Sequence, residues 1–169
     1  MNGFIPKPKV LIVDDKTQHL FTIARLLKKL DIQSVQATSG SEALGLTLEH
    51  NFFLAIVDVQ MPEMSGYELV ELWRGNPSTT DLPVIFISGI RTDEYQHREA
   101  FNTGGVIDFL SKPFLPEILL AKVKVFIELH QHKLKLRELV DELQAQRNAL
   151  ARVTRELEQA RSALSKRAL

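Results

Sequence analysis

Three short stretches of the chain are apolar at every position: Val10-Leu11-Ile12-Val13, Leu54-Ala55-Ile56-Val57 and Val84-Ile85-Phe86-Ile87. Runs of this length and β-branched content predict strands buried on both faces. A fourth run, residues 106–110, predicts a last strand, and a weaker alternation over 33–37 predicts one more. Between them the apolar spacing changes to the helical period. Residues 17–30 place Leu20, Ile23, Ala24, Leu26, Leu27 and Leu30 on one face. Shorter helical stretches are predicted from Ser41, over residues 66–73 and over 93–102, and Pro116 opens the last helix. The order is β-α repeated five times. Buried strands in that order predict an α/β fold with a parallel sheet covered by helices on both faces.

A second regime begins after Pro116. All eight glycines and all seven prolines lie at or before that residue, and none follows. The remainder reads as one uninterrupted helix. Leucine recurs at 129, 136, 143, 150, 157 and 164, every seventh residue. With these at heptad position a, Leu139, Gln146, Val153 and Ala160 fall at d. Glu142 and Glu156 then fall at g, facing Arg147 and Arg161 at the following e positions, the pairing of a parallel two-stranded coiled coil. The other register puts Lys133, Val140, Arg147, Thr154 and Arg161 in the seam, which is far less apolar. The expected organisation is therefore a domain over 1–128 and a homodimerising helix over 129–169, about 60 Å long at 1.5 Å per residue. The helical pattern reaches Leu169 without a stop signal, so the expectation is an output domain beyond it.

In an open parallel sheet, functional groups collect where strands end. Asp14-Asp15 follow the first strand, Asp58 the middle one, Ser88-Gly89 the fourth and Ser111-Lys112-Pro113 the last. Three carboxylates at one edge are costly unless cations join them. Lys112 supplies one positive charge, and a hard, oxygen-liganded divalent ion, Mg2+, is the natural candidate for the rest. A carboxylate can attack phosphorus, and metal, lysine and hydroxyl then stabilise the transferred group's oxygens. A nucleotide site is disfavoured, because Asp14-Asp15-Lys16-Thr17 has neither dinucleotide-loop glycines nor a P-loop. Taken singly, Asp14 or Asp15 reads as a helix N-cap, Ser88 as a loop residue and Phe109 as plain core. The five histidines mark no site; His130 and His132, two apart on a helix, point in different directions.

The segments Leu11-Ile12-Val13-Asp14-Asp15, Ile56-Val57-Asp58-Val59-Gln60-Met61-Pro62-Glu63-Met64-Ser65-Gly66, Ile87-Ser88-Gly89 and Asp108-Phe109-Leu110-Ser111-Lys112-Pro113-Phe114 together resemble the receiver domain of two-component response regulators. The resemblance covers about residues 8–128. It implies a flavodoxin-like sheet of order 2-1-3-4-5. It implies that Asp58 accepts a phosphoryl group from a histidine kinase or phosphotransfer protein. Asp15, Asp14 (mainly through water), Asp58 and the backbone carbonyl of Gln60 would hold Mg2+. Lys112 would pair with phosphoryl oxygens ahead of a cis bond to Pro113, and Ser88 and Phe109 would form a two-state switch. Departures from the commonest pattern are modest: Gln60 and Ile90 bear on phosphoryl lifetime, and Gly89 stands where Ala is more usual.

Charge and composition refine this picture. The formal net charge is zero, but residues 1–128 carry twelve basic and sixteen acidic side chains, and 129–169 nine and five. An acidic domain and a mildly basic helix argue against direct nucleic-acid binding. With no cysteine, thiol nucleophiles, thiolate metal sites and disulfides are excluded. No apolar run approaches the roughly 20 residues of a membrane span, and the N-terminus lacks a signal core, so a cytoplasmic setting without membrane contact is expected. The leading expectation is a phosphoacceptor regulator rather than an enzyme. Its rivals are a scaffold that dimerises without phosphorylation, and a metal-dependent phosphatase with an aspartyl nucleophile.

Overall fold

The structure, a computed structural model, describes residues 7–89, 105 and 107–168. Five parallel strands form one sheet: β1 (Lys9–Val13), β2 (Gln33–Ala37), β3 (Leu54–Asp58), β4 (Val84–Ser88) and β5 (Ile107–Ser111). Their spatial order is β2-β1-β3-β4-β5, the order the resemblance implied. The helices described are α1 (Thr17–Leu27), α2 (Gly40–Glu49), α3 (Gly66–Arg74) and α4 (Pro116–Arg167). The helix expected over 93–102 lies outside the described residues.

The apolar strands fill both faces because successive side chains point to opposite sides. Val10, Ile12, Leu54, Ile56, Ile85 and Ile87 pack on one face with Leu20, Ile23 and Leu27 of α1 and Leu119, Val123 and Phe126 of α4. Leu11, Val13, Ala55, Val57, Val84 and Phe86 pack on the other with Ala43 of α2 and Leu69, Val70 and Trp73 of α3. Each of these side chains gains about 1–3 kcal/mol from leaving water. β2 and β5 are edge strands with mixed burial, which is why Gln33-Ser34-Val35-Gln36-Ala37 alternates rather than running apolar.

Two helix ends differ from their predicted positions. α1 stops at Leu27 instead of Leu30, because the Lys29 and Leu30 amides bond the carbonyls three residues back, Leu26 and Leu27, tightening the last turn. Leu30 still packs against the core from that turn. α2 starts at Gly40, since the Ser39 hydroxyl accepts the Glu42 amide as N-cap. The chain divides into two compact units, 1–127 and 128–169. In the second, the heptad leucines are exposed, from 45% at Leu129 to 68% at Leu150 and Leu164.

Candidate functional site

The parallel register brings the strand ends level. Val13 pairs with Val57, Asp58 with Ile87, and Ser88 with Ser111. Asp14, Asp15, Asp58, Ser88 and Lys112 therefore leave the sheet at the same carboxyl edge. α1 is capped by Lys16, which makes no side-chain cap bond. Neither acid is the helix cap. Instead the Lys16 amide donates to Asp14 Oδ1 at 2.9 Å, which turns that carboxylate back over the strand end.

Asp14, Asp15 and Asp58 each offer an oxygen within 4.8 Å of the others. Asp14 and Asp58 are buried, at 1% and 6% exposure. Lys112 Nζ lies 3.2 Å from Asp58 Oδ1 and 3.3 Å from Asp14 Oδ2. The bond from Lys112 to Pro113 is cis, and the Lys112 amide donates to the Ser88 carbonyl at 2.7 Å. Burial raises the Asp58 carboxyl above its ordinary range, and the Asp14 charge raises it further, against the lowering pull of Lys112. One ammonium does not offset three carboxylates.

This donor set fits magnesium. All the ligand groups are oxygen, and Asp15 Oδ1 is buried without a hydrogen-bond partner, an arrangement that is costly unless a cation takes up the lone pairs. Gln60 is exposed in the segment leaving β3. That segment is turned by Glu63, at φ 65°, and ends in the Ser65–Glu68 capping box that opens α3. Gly66 is required where α3 passes β3: a Cβ there would meet the Asp58 carbonyl oxygen at 2.5 Å and Val57 Cγ1 at 3.0 Å. Gly66→Ala is accordingly expected to lower stability by about 1–3 kcal/mol, read as a lower urea midpoint, and to weaken magnesium binding by displacing Asp58.

Ser88 is buried at the end of β4. Phe109 is half-buried on β5, its ring stacked on Phe86 at 5.4 Å, and Phe86 in turn contacts Tyr67 at 4.9 Å. Ile90 lies outside the described residues. One correction concerns the histidines. His19, on the first turn of α1, places Nδ1 2.9 Å from Asp14 Oδ2 and 3.2 Å from Lys112 Nζ. Asp14 is five residues away but Lys112 is 93, so only the start of α1 just after Asp15 hinted at it.

Residues 10–124 match the response regulator receiver domain family. The chain belongs to that family. The heme response regulator HssR of Staphylococcus haemolyticus is 31% identical over 123 residues, 73% of this chain and 53% of the relative. A probable cyclic di-GMP phosphodiesterase of Vibrio cholerae is 31% identical over 119 residues, 70% of this chain and 26% of its own length. The chain thus spans about half, or less, of these curated relatives. Among solved structures, the Vibrio cholerae chemotaxis protein CheY4 superposes with a TM-score of 0.65 at 29% identity, covering 71% of this chain and 98% of that one. A Rhodopirellula baltica chain described as adenylate cyclase gives 0.69 at 28%, covering 80% and 98%. Receiver domains bind Mg2+ at an acidic pocket and partner with histidine kinases. No helix among the described residues is long and apolar enough to cross a membrane.

Proposed function

We propose that residues 1–128 are a phosphoacceptor receiver and that 129–169 is the helix through which two copies dimerise and pass the signal to an output domain beyond Leu169. The observation that carries this reading is the convergence of Asp14, Asp15, Asp58 and Lys112 from three strand ends. An Asp58 oxygen attacks the phosphorus of a phosphohistidine on a kinase or phosphotransfer protein. The new O–P bond forms as the P–N bond breaks, and the imidazole leaves with the electron pair. Asp15, Asp58 and the Gln60 carbonyl, with Asp14 mainly through water, would hold Mg2+, which would supply positive charge to the phosphoryl oxygens. Lys112 pairs with those oxygens, Ser88 donates to them, and Phe109 follows Ser88 as a switch. Residues 1–169 turn over no separate substrate and work in the cytoplasm, without membrane or direct nucleic-acid contact of their own.

Support for the second part comes from the exposed leucine stripe with Glu142, Arg147, Glu156 and Arg161 beside it. An apolar seam with complementary flanking charges suits a second copy of the same helix. Incubation with magnesium and acetyl phosphate is expected to add one phosphoryl group by intact mass, and Asp58→Ala to abolish the gain. An unmodified wild type would overturn the phosphoacceptor reading. A dimer whose stability ignores phosphorylation would favour the scaffold alternative.

A further inference from the structure

The leucine stripe of α4 also places a histidine. With Leu129 and Leu136 at heptad position a, His132 falls at d, on the same face of the helix. His132 is exposed in the chain taken alone, as Leu129 and Leu136 are. His130, two residues earlier, falls at b and points away from that face.

In a parallel coil, the d residues of the two copies face each other. A neutral imidazole has one N–H and one bare nitrogen, so two neutral rings can donate and accept between them. One shared proton still leaves an acceptor. Two imidazolium rings have donors only, and they set like charges side by side between the layers of Leu129 and Leu136. The charges around this layer do not offset that cost. Glu128 at g meets Lys133 at the facing e position, on both sides of the seam. Lys135, the next g residue, faces Val140 and has no acid across from it. In a lone chain, by contrast, His132 is open to water and free to take up its proton.

We propose that His132 makes the dimer pH-sensitive: in the seam its imidazole meets that of the second copy, and the pair holds only while one ring stays neutral. The proposal rests on the dimer reading above. The dimer binds fewer protons than two separate chains, so association weakens as pH falls through the imidazole range. His130 lies outside this effect. Its partial burial, and then the Lys133 and Arg137 charges, hold its imidazole below the ordinary range.

The dissociation constant of the chain over residues 1–169 is measured by sedimentation equilibrium in a chelator, from about pH 7.5 to about pH 5.5. Wild type is compared with His132→Leu and His130→Gln. Groups that titrate elsewhere, Asp58 among them, act on all three chains alike. Over this range the wild-type constant is expected to rise about tenfold relative to that of His132→Leu, and His130→Gln should follow wild type. A wild type that tracks His132→Leu to within about twofold would overturn the proposal. Loss of the rise in His130→Gln would also overturn it, by putting the titrating group off the seam. A wild type that is monomeric at every pH would bring down the dimer reading itself, which is a different outcome from a dimer indifferent to pH.

Discussion

In the proposed coiled-coil dimer, replacing Leu150 with glutamate is expected to leave only monomer in sedimentation velocity at micromolar concentration. Leu150 is 68% exposed in the chain taken alone, and it stands at the middle of the stripe from 129 to 164. In a parallel coil, position a of one helix packs beside position a of the other. The substitution thus removes two buried leucines per dimer, at about 2–5 kcal/mol each. It also sets two carboxylates face to face in an apolar seam. Gln146→Leu should act in the opposite direction, because it replaces the one polar d residue beside that layer and raises the dimer's thermal midpoint. Orientation has its own test, since the chain lacks cysteine. Ala160→Cys should oxidise readily to a cross-linked dimer in a parallel coil, where residue 160 faces itself, and poorly in an antiparallel one. A Leu150→Glu variant that stays dimeric would move the interface off this helix.

The long last helix and the strands were legible in the sequence for the same reason: both carry repeated apolar patterns with a period set by backbone geometry. β1, β3 and β4 have no polar residue in their cores, so two-sided burial followed directly, and the register that aligns Val13 with Val57 and Asp58 with Ile87 came from the parallel sheet. The acids and Lys112 were legible because strand ends are where such a sheet gathers chemistry. The limits of α1 and α2 were less so, because a 3₁₀-like turn at Leu30 and a serine cap at Ser39 involve local bonds that residue pattern leaves open. His19 was not legible. Its partners, Asp14 and Lys112, lie on different strand ends, and the latter is 93 residues away. Only the packing of α1 on the sheet brings the imidazole to the carboxylate.

Asp58→Asn is expected to stabilise the folded chain in the presence of a chelator at neutral pH. Asp58 is buried, and burial together with Asp14 raises its carboxyl above the ordinary range while Lys112 only partly counters them. The folded state therefore binds a proton more tightly than the unfolded state does. Between the ordinary carboxylate range and the raised value, stability grows as pH falls and is lost as pH rises through that window. At neutral pH the ionised Asp58 is a standing cost, and an amide of nearly the same shape removes it while still accepting from Lys112. A gain of about 1 kcal/mol is expected, read as a higher urea midpoint. The gap between variant and wild type should close as the pH is lowered and Asp58 takes up its proton. Magnesium should reverse the ranking, since a ligand that binds only the folded state stabilises the protein that binds it better, and the amide is the weaker ligand for a hard cation. Lower stability of Asp58→Asn in chelator, or a gap that widens on acidification, would show that like-charge crowding at the strand ends is not what the pocket stores. The same burial and crowding are what a divalent cation would relieve, so the cost of gathering these acids and the pocket's affinity for such a cation have one electrostatic origin.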